Sequence, residues 1–345
     1  MPKFLALLIK LANLVFILFG LLLVITILIK TNSITELSFL GLFAVPFLTF
    51  YLFFSFLVLA VSRKMFVCNM VILLVVFLIA GPFYKFATKT DKEAHHNELS
   101  VITFNARGFN SFKALSENST ADSIYNFLIK ENVDIVAMQE AAYYLKRQTV
   151  LDSIYPYKYV DFIYGEQHNR VLQAIFSKYP IKQNKLISFP NSSNLTHRFE
   201  VDFKGSLISI YNVHLQSFKV VPSLRTVKNE DSKSLISNIN RKVLMQSSQV
   251  DILLADLATH KNPTLIMGDF NNTQYSNIYR SLSKGFKDTY IEAGAGFGRT
   301  YSLKGLPMRI DYILASPQFE VLSHTNYDVD YSDHYPVKAT LLLKD

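Results

Sequence analysis

Three uncharged apolar runs open the chain. Residues 11–29 read LANLVFILFGLLLVITILI, with Phe4 to Ile9 able to lengthen them, and residues 37–62 and 65–84 are again free of charge. A bilayer span needs about 20 such residues, so each run is long enough. One run alone could be a buried core helix. Three within a 90-residue block argue for spans at about 4–29, 37–62 and 65–86. The first run is too long for the apolar part of a signal peptide, and no small-x-small cleavage site follows it.

From Leu99 onward the pattern changes to short apolar strands set between polar loops and helical stretches. LSVITF (99–104), VDIVAM (133–138), VLQAIF (171–176), LISIYNV (207–213), TLIM (264–267), RIDYIL (309–314) and VKATLLL (337–343) read as buried or half-buried strands. Helices are expected at 120–131, roughly 225–259 and 275–283, and the polar stretch 223–240 reads as a solvated insertion. The organisation is therefore a membrane domain over 1–90, a linker over 91–98 and one α/β domain over 99–345.

Composition agrees with this division. Of the 345 residues, 50% are hydrophobic and 18% charged, against roughly a quarter charged in a typical soluble domain. A disordered chain, a collagen and a disulfide scaffold are excluded. The net charge of +8 is unevenly placed: residues 1–90 hold seven Lys or Arg and one acid, Glu36, leaving 28 basic and 26 acidic residues beyond. Lys3 and Lys10 precede the first span, and Arg63 with Lys64 lies between the second and third. That bias puts the N-terminus inside and the globular domain on the outer face of a multi-pass cell-membrane protein. Lys85, Lys89 and Lys92 argue the other way. The single cysteine, Cys68, leaves the redox compartment open.

Polar residues gather where the expected strands end. Asn105 and Arg107 follow the first, Gln139 and Glu140 the second, Asn212 and His214 another, and Asp269 with Asn271 follows TLIM; Asp311 lies within RIDYIL, and Ser332-Asp333-His334 precedes the last strand. Ligand sites in α/β proteins collect at such ends, where loops are held by a rigid frame. Each residue alone has an ordinary explanation as a turn or helix cap. Six such positions in order do not.

The segments TFNARG, DIVAMQE, YNVHL, LIMGDFNNT, RIDYIL and SDHYPV together resemble the endonuclease/exonuclease/phosphatase superfamily, the deoxyribonuclease I-like fold. They span about 101–337. The resemblance implies a four-layered α/β sandwich of two mixed β-sheets flanked by helices, here preceded by three transmembrane helices. It also implies phosphoester hydrolysis dependent on Mg²⁺ or Mn²⁺, which suits a reaction needing a hard cation, an oriented water and help for the leaving alkoxide. By the same resemblance Glu140 is the principal metal ligand, Asn105 its neighbour, and Asp333 an addition to the metal site. Asp269 orients or deprotonates water and Asn271 holds the phosphate. His334 contacts the phosphate or acts as base with Asp311 fixing its tautomer, and His214 stabilises phosphoryl or leaving-group charge.

Arg107 stands where the abasic-site endonuclease branch carries an acidic ligand. It is a candidate phosphate clamp, as is Arg309. Thr300 and Tyr301 resemble a family turn that lines the cleft, with a turn and a core aromatic as the alternative. His95, His96, His168, His197, His260 and His324 have no partner pattern and are expected at the surface.

Three functions compete: a membrane-anchored phosphoesterase on a lipid headgroup or small molecule, an anchored nuclease, and an inactive binding domain. Branches of the family cleave sphingomyelin and phosphoinositides, which favours the first. The near-neutral globular domain counts against nucleic acid, because duplex binding draws on phosphate contacts. The dozen or so residues at roughly 87–98 that join the last span to the first strand reach about 40 Å at most, keeping the domain near the bilayer. No feature identifies a protein partner.

Overall fold

The architecture is taken from a computed structural model describing residues 2–33, 35–86, 97–110, 121–141, 145, 149–161, 172–218, 232–303 and 305–344. Most of the expected linker, His95, His96, His168 and the 223–231 part of the polar insertion lie outside the described residues. The chain divides into two compact units. One takes in the N-terminal helices with the described parts of 218–247 and 272–281; the other takes in the described parts of 84–217, 248–271 and 282–345.

In the first unit, α1 (Lys3–Leu28), a 3-10 stretch (Thr35–Phe43), α2 (Ala44–Leu59) and α3 (Arg63–Ala80) follow one another. Three helical segments, Lys3–Leu28, Leu37–Leu59 and Arg63–Ala80, are long and apolar enough to cross a membrane. The second run is not one α-helix because Pro46 lacks an N–H and would strike the carbonyl four residues earlier, so α-geometry starts only at Ala44. The third ends at Ala80, short of the expected 86, because Gly81 caps it at φ 81° and Pro82 cannot continue it. A buried polar chain ties the three helices: Asn69 Nδ2 donates to Asn13 Oδ1 at 2.7 Å, and the Tyr51 hydroxyl donates to Asn69 Oδ1 at 3.1 Å. Such bonds are a main source of adhesion where the surroundings are as apolar as the helices. Outward faces carry exposed Leu14, Leu18, Phe50, Phe53 and Leu78.

In the second unit two six-stranded mixed sheets face each other. The first has the order β13 (Phe319–Asn326), β14 (Val337–Leu343), β1 (Glu98–Asn105), β2 (Ile135–Gln139), β4 (Ala174–Ser177), β3 (Tyr157–Val160). The second has the order β5 (Ile181–Ser188), β6 (Leu195–Phe203), β7 (Ser206–His214), β8 (Thr264–Asp269), β12 (Asp311–Ala315), β9 (Lys287–Asp288). The β1–β2 and β7–β8 pairs are parallel and the other neighbours antiparallel. A small hairpin, β10 (Tyr301–Leu303) and β11 (Leu306–Met308), stands apart from both sheets. The inner faces meet through Val101, Ile135, Phe199, Ile210, Met267 and Ile313. Helix α4 (Ala121–Glu131) covers the outer face of the first sheet, burying Ile124 and Leu128 on Ile102, Phe104, Val136 and Phe176. Helices α5 (Ser232–Leu257), α6 (Asn277–Ser283) and α7 (Thr289–Ala293) complete the chain order. Two mixed sheets flanked by helices are the fold the sequence implied. Residues 84–86 join this unit rather than the third apolar helix, for Lys85 and Gly296 exchange backbone hydrogen bonds of 2.9 and 2.7 Å.

Candidate active site

The two-residue period of a strand delivers the polar residues to one end of the space between the sheets. Inward positions run Val101, Thr103, Asn105 on β1; Ile135, Ala137, Gln139 on β2; Ile210, Asn212, His214 on β7; and Leu265, Met267, Asp269 on β8. On antiparallel β12 the order reverses to Asp311, Ile313, Ala315. Each strand thus passes from core to chemistry without leaving its face. Register does the rest: His214 lies beside Asp269 across β7 and β8, and Asp311 lies beside Asp269 across β8 and β12. Gly268 is required for this approach, since a Cβ there would sit 2.0 Å from the Val213 carbonyl oxygen.

Asn105 joins the sheets, its Nδ2 donating to Asp269 Oδ2 at 3.0 Å and to Glu140 Oε1 at 3.2 Å. His214 Nε2 lies 3.7 Å from Asp269 Oδ2 and 3.8 Å from Glu140 Oε1. On the other side His334 Nδ1 is 3.0 Å from Asp311 Oδ2, and its Nε2 is 3.8 Å from Asp269 Oδ2. The Asn271 backbone N–H donates to Asp269 Oδ1 at 2.7 Å, and its side-chain amide donates to the Leu215 carbonyl at 2.9 Å. Arg107, Glu140 and Asn271 all take left-handed backbone angles, with φ of 43°, 48° and 49°. Non-glycine residues held in this way cluster at functional sites, where the surroundings over-determine them.

Electrostatics single out the Asp269–His334–Asp311 row. Burial and then the Asp311 charge raise the Asp269 carboxyl well above the ordinary carboxylate range. Burial works against a charged His334, but Asp311 and Asp269 outweigh it and hold the imidazolium. Among the described residues, Asp269, Asp311 and His334 offer ligand atoms within 4.8 Å of one another. The half-exposed Glu140 adds a further carboxylate beside them, so hard oxygen donors that fit a divalent cation gather here, while Asn105 turns its Nδ2 to Glu140 and Asp269 and its Oδ1 accepts from the Arg107 N–H at 3.1 Å. His334 Nδ1 is already committed to Asp311, so the carboxylates Glu140 and Asp269 suit the cation better than the imidazole does.

The endonuclease/exonuclease/phosphatase family model matches residues 102–334, about two-thirds of the chain. The chain belongs to that family. Its members are hydrolases of phosphoester bonds. The family fold recurs in an endonuclease/exonuclease/phosphatase from Bacteroides vulgatus, at 18% identity and TM-score 0.52, covering 72% of this chain and 99% of that one. Truncated Caenorhabditis elegans TDP2 superposes with TM-score 0.50 at 19% identity, over 71% of this chain and 98% of that one. A Bacteroides thetaiotaomicron mannosyl-6-phosphatase gives TM-score 0.50 at 16% identity, over 71% of this chain and 100% of that one. No curated protein matches.

Several expectations for this family member need correction. Arg309, expected as a phosphate clamp, is not brought together with the other site residues. Its guanidinium is buried, donates to Asp288 Oδ2 at 2.6 Å, and lies over the Tyr290 and Tyr312 rings at 4.5 and 4.6 Å. Asp288 in turn caps α7, accepting from Tyr290 N–H. Removing one partner of such a pair strands a buried charge, so Arg309→Met should destabilise the fold by about 3–5 kcal/mol, read as a lower thermal midpoint. The folded fraction should keep its turnover. Asp333 belongs to Arg107, whose Nη1 donates to its Oδ2 at 2.7 Å, and stands outside the Asp269–Asp311–His334 group. His197 is not a surface residue, and His260 and His324 are half-buried. His197 is 1% exposed and meets Gln173 Oε1 at 3.1 Å, His260 meets the Tyr211 hydroxyl at 2.7 Å, and His324 meets the Thr289 hydroxyl at 2.8 Å.

Other residues join the site. Thr300 Oγ1 accepts from the Ile310 and Asp311 N–H groups at 2.9 and 3.0 Å, and the Tyr301 ring lies 4.9 Å from that of His334. Ser332 donates to the Asn105 carbonyl at 2.8 Å, fixing the loop that carries His334. Beneath the reactive layer, Gln139 Nε2 donates to Asn212 Oδ1 at 2.7 Å and to Thr103 Oγ1 at 3.0 Å. Asn212 Nδ2 reaches the Met138 and Ala174 carbonyls of the opposite sheet at 3.0 and 3.1 Å. The signal for these was available in sequence: Thr103 and Asn212 each lie two residues before a site residue on one strand face.

Proposed function

We propose that the protein is a membrane-anchored, divalent-metal-dependent phosphoesterase acting on a phosphodiester or phosphomonoester, with a lipid headgroup or small molecule as substrate. The observation that carries this reading is the buried row Asp269–His334–Asp311 meeting Asn105, His214 and Glu140 at one end of the sandwich. Glu140, oriented by the Asn105 amide, would hold Mg²⁺ or Mn²⁺, which when bound neutralises phosphate oxygens and lowers the cost of the Asp269 anion. Asp269 then accepts a proton from the attacking water, held in orientation by the Asn271 N–H. His334, kept cationic by Asp311, faces the charge that develops on the phosphoryl oxygens. His214 sits between Asp269 and Glu140 as a second donor to the same oxygens. Arg107, pinned by Asp333 and 38% exposed at its side chain, supplies a phosphate contact at the rim.

The anchor is supported by the three apolar helices, and the outer-face orientation by Lys3, Lys10, Arg63 and Lys64. Protease added to intact cells should therefore degrade the globular part; full protection would place it inside. The substrate class is tested with the full chain in detergent and Mn²⁺ or Mg²⁺. Bis-aryl phosphate, aryl monophosphate, phospholipid vesicles and plasmid DNA are compared. Turnover of small or lipid esters with little cleavage of DNA is expected. Preference for DNA would make the protein an anchored nuclease, and no turnover of any would leave a binding domain.

A further inference from the structure

The sandwich unit carries an exposed aromatic patch where residues 84–86 meet the loop around Phe297. Phe86 is 83% exposed, and Tyr84 and Phe297 are each 41% exposed. The rings of Tyr84 and Phe86 lie 5.3 Å apart, edge to face, and those of Tyr84 and Phe297 lie 5.0 Å apart in the same way. Contiguous apolar surface of this kind marks an interaction site. The display is ordered. Besides the paired backbone bonds between Lys85 and Gly296, the Tyr290 hydroxyl donates to the Gly296 carbonyl at 2.7 Å, and Lys85 Nζ donates to the Ile291 carbonyl. Gly296 and Gly298, at φ of 69° and 63°, turn the chain on either side of Phe297, and a Cβ on Gly298 would meet the Tyr290 ring at 2.6 Å. Phe297 is thus held exposed by fixed contacts.

Chain length decides which partner the patch meets. α3 has 18 residues, which rise about 27 Å, close to the roughly 30 Å of a hydrocarbon core. With Arg63 and Lys64 at one boundary, its last residue, Ala80, reaches the other. Tyr84 follows four residues later, about 14 Å at most whatever course the chain takes. The headgroup zone is itself roughly 5–8 Å deep, so Tyr84 lies within it or less than about 10 Å beyond. Tyr is enriched at that depth and Phe serves interfacial anchors, because such rings favour a boundary apolar on one side and wet on the other. The patch also adjoins the cleft within its own unit. Phe297 stands four residues before Tyr301, whose ring packs on His334, and three before Thr300, which holds the Asp311 N–H. Patch and cleft rim are parts of one loop.

We propose that Tyr84, Phe86 and Phe297 form a membrane-docking patch that seats the loop 296–301 at the headgroup layer, and that the cleft accordingly takes phospholipid headgroups as its substrate. Docking rests on the reading of the apolar helices as spans; the substrate class rests in addition on the phosphoesterase reading. A lipid headgroup is met only at that depth, whereas a soluble ester arrives by diffusion, so the patch should separate the two substrates.

The chain contains no tryptophan, so Phe297→Trp, Leu18→Trp on the exposed face of α1 and Leu207→Trp each carry a single reporter. Leu207 is exposed at the start of β7, the end of that strand away from His214. Each full-length variant is placed in phosphatidylcholine vesicles whose acyl chains carry bromine near the headgroup or near the chain end, and quenching is read. Phe297→Trp should be quenched at least about twofold by the shallow label and little by the deep one. Leu18→Trp should be quenched by the deep label, and Leu207→Trp by neither. An unquenched Phe297→Trp beside a quenched Leu18→Trp would overturn the docking, as would equal quenching of Leu207→Trp. Quenching of neither Phe297→Trp nor Leu18→Trp would overturn the spans themselves, and the docking with them. The substrate is tested with Mn²⁺ in mixed phosphatidylcholine, phosphatidylglycerol and phosphatidylinositol vesicles, against soluble bis(p-nitrophenyl) phosphate. In the double variant Tyr84→Ser, Phe297→Ser the ratio of lipid to soluble turnover should fall roughly 10-fold, as local access to lipid is lost. An unchanged ratio, or a parent active on the soluble diester alone, would overturn the lipid assignment. A parent inactive on every ester would overturn the phosphoesterase reading, and the quenching then decides the docking by itself.

Discussion

Asp269→Asn should lower metal-dependent turnover about 10²–10⁴-fold, the range for removal of a positioned proton acceptor, while the fold is kept. Asparagine is nearly isosteric with aspartate, so the Asn271 N–H keeps an acceptor. The carboxyl is buried beside Asp311, and replacing it with a neutral amide removes the electrostatic cost of placing two acids together. Stability should therefore hold or rise as activity falls, an opposite movement that a merely structural residue would not produce. His334→Ala should cost about 10²–10³-fold, as expected for loss of one preorganised donor to developing charge. It also leaves Asp311 without its 3.0 Å partner, so its thermal midpoint should fall where that of Asp269→Asn does not. The double variant should be little worse than Asp269→Asn, because groups acting in one step lose their effect together. Steady-state kinetics with Mn²⁺ and thermal unfolding of the same preparations check all three statements. Near-parent turnover in Asp269→Asn would remove the assignment.

Much of this arrangement was legible in the amino-acid order, and the reasons are particular. Strands β1, β2, β7 and β8 are inner strands whose apolar positions persist to their ends, so a polar residue appearing there is conspicuous: Asn105, Gln139, His214 and Asp269. Edge strands gave no such signal. β5 reads IKQNKLIS and exposes most of its positions, being a strand only because β6 offers it a pairing edge. β6 carries alternation in Phe199, Val201 and Phe203, with Glu200 and Asp202 between them, but His197 and Arg198 before them dilute it. Ion pairs were the least legible. Nothing near Arg309 in the chain announces Asp288, which meets it through the pairing of β9 with β12, and Arg107 finds Asp333 across 226 positions. The polar stretch after Asn271 does not announce its partners either. Its partners are carbonyls at the ends of helices some 200 residues earlier, and backbone acceptors carry no sequence signature.

Glu140→Gln should weaken the response to Mg²⁺ and Mn²⁺ more than any other single change. Altering even a residue that orients a metal ligand typically costs 10–100-fold in metal affinity, so loss of the carboxylate itself should cost at least about that much. Glu140 suits the role by position: it follows the last residue of β2, its left-handed φ of 48° turns it from the strand, and its side chain is 36% exposed beside buried Asn105. Glutamine preserves the shape and the bond accepted from Asn105 Nδ2 while removing the charge, so folding without metal should be unchanged. The expected signature is a parallel shift of the metal-activation curve to higher concentration, with turnover recovering in part at saturating Mn²⁺. Chelation by EDTA should abolish parent activity reversibly, and metal should raise the thermal midpoint of the parent more than that of Glu140→Gln. A variant whose activation curve overlays that of the parent would move the cation to Asp269, Asp311 and His334. Asp311→Asn should then reproduce the shift that Glu140→Gln failed to give.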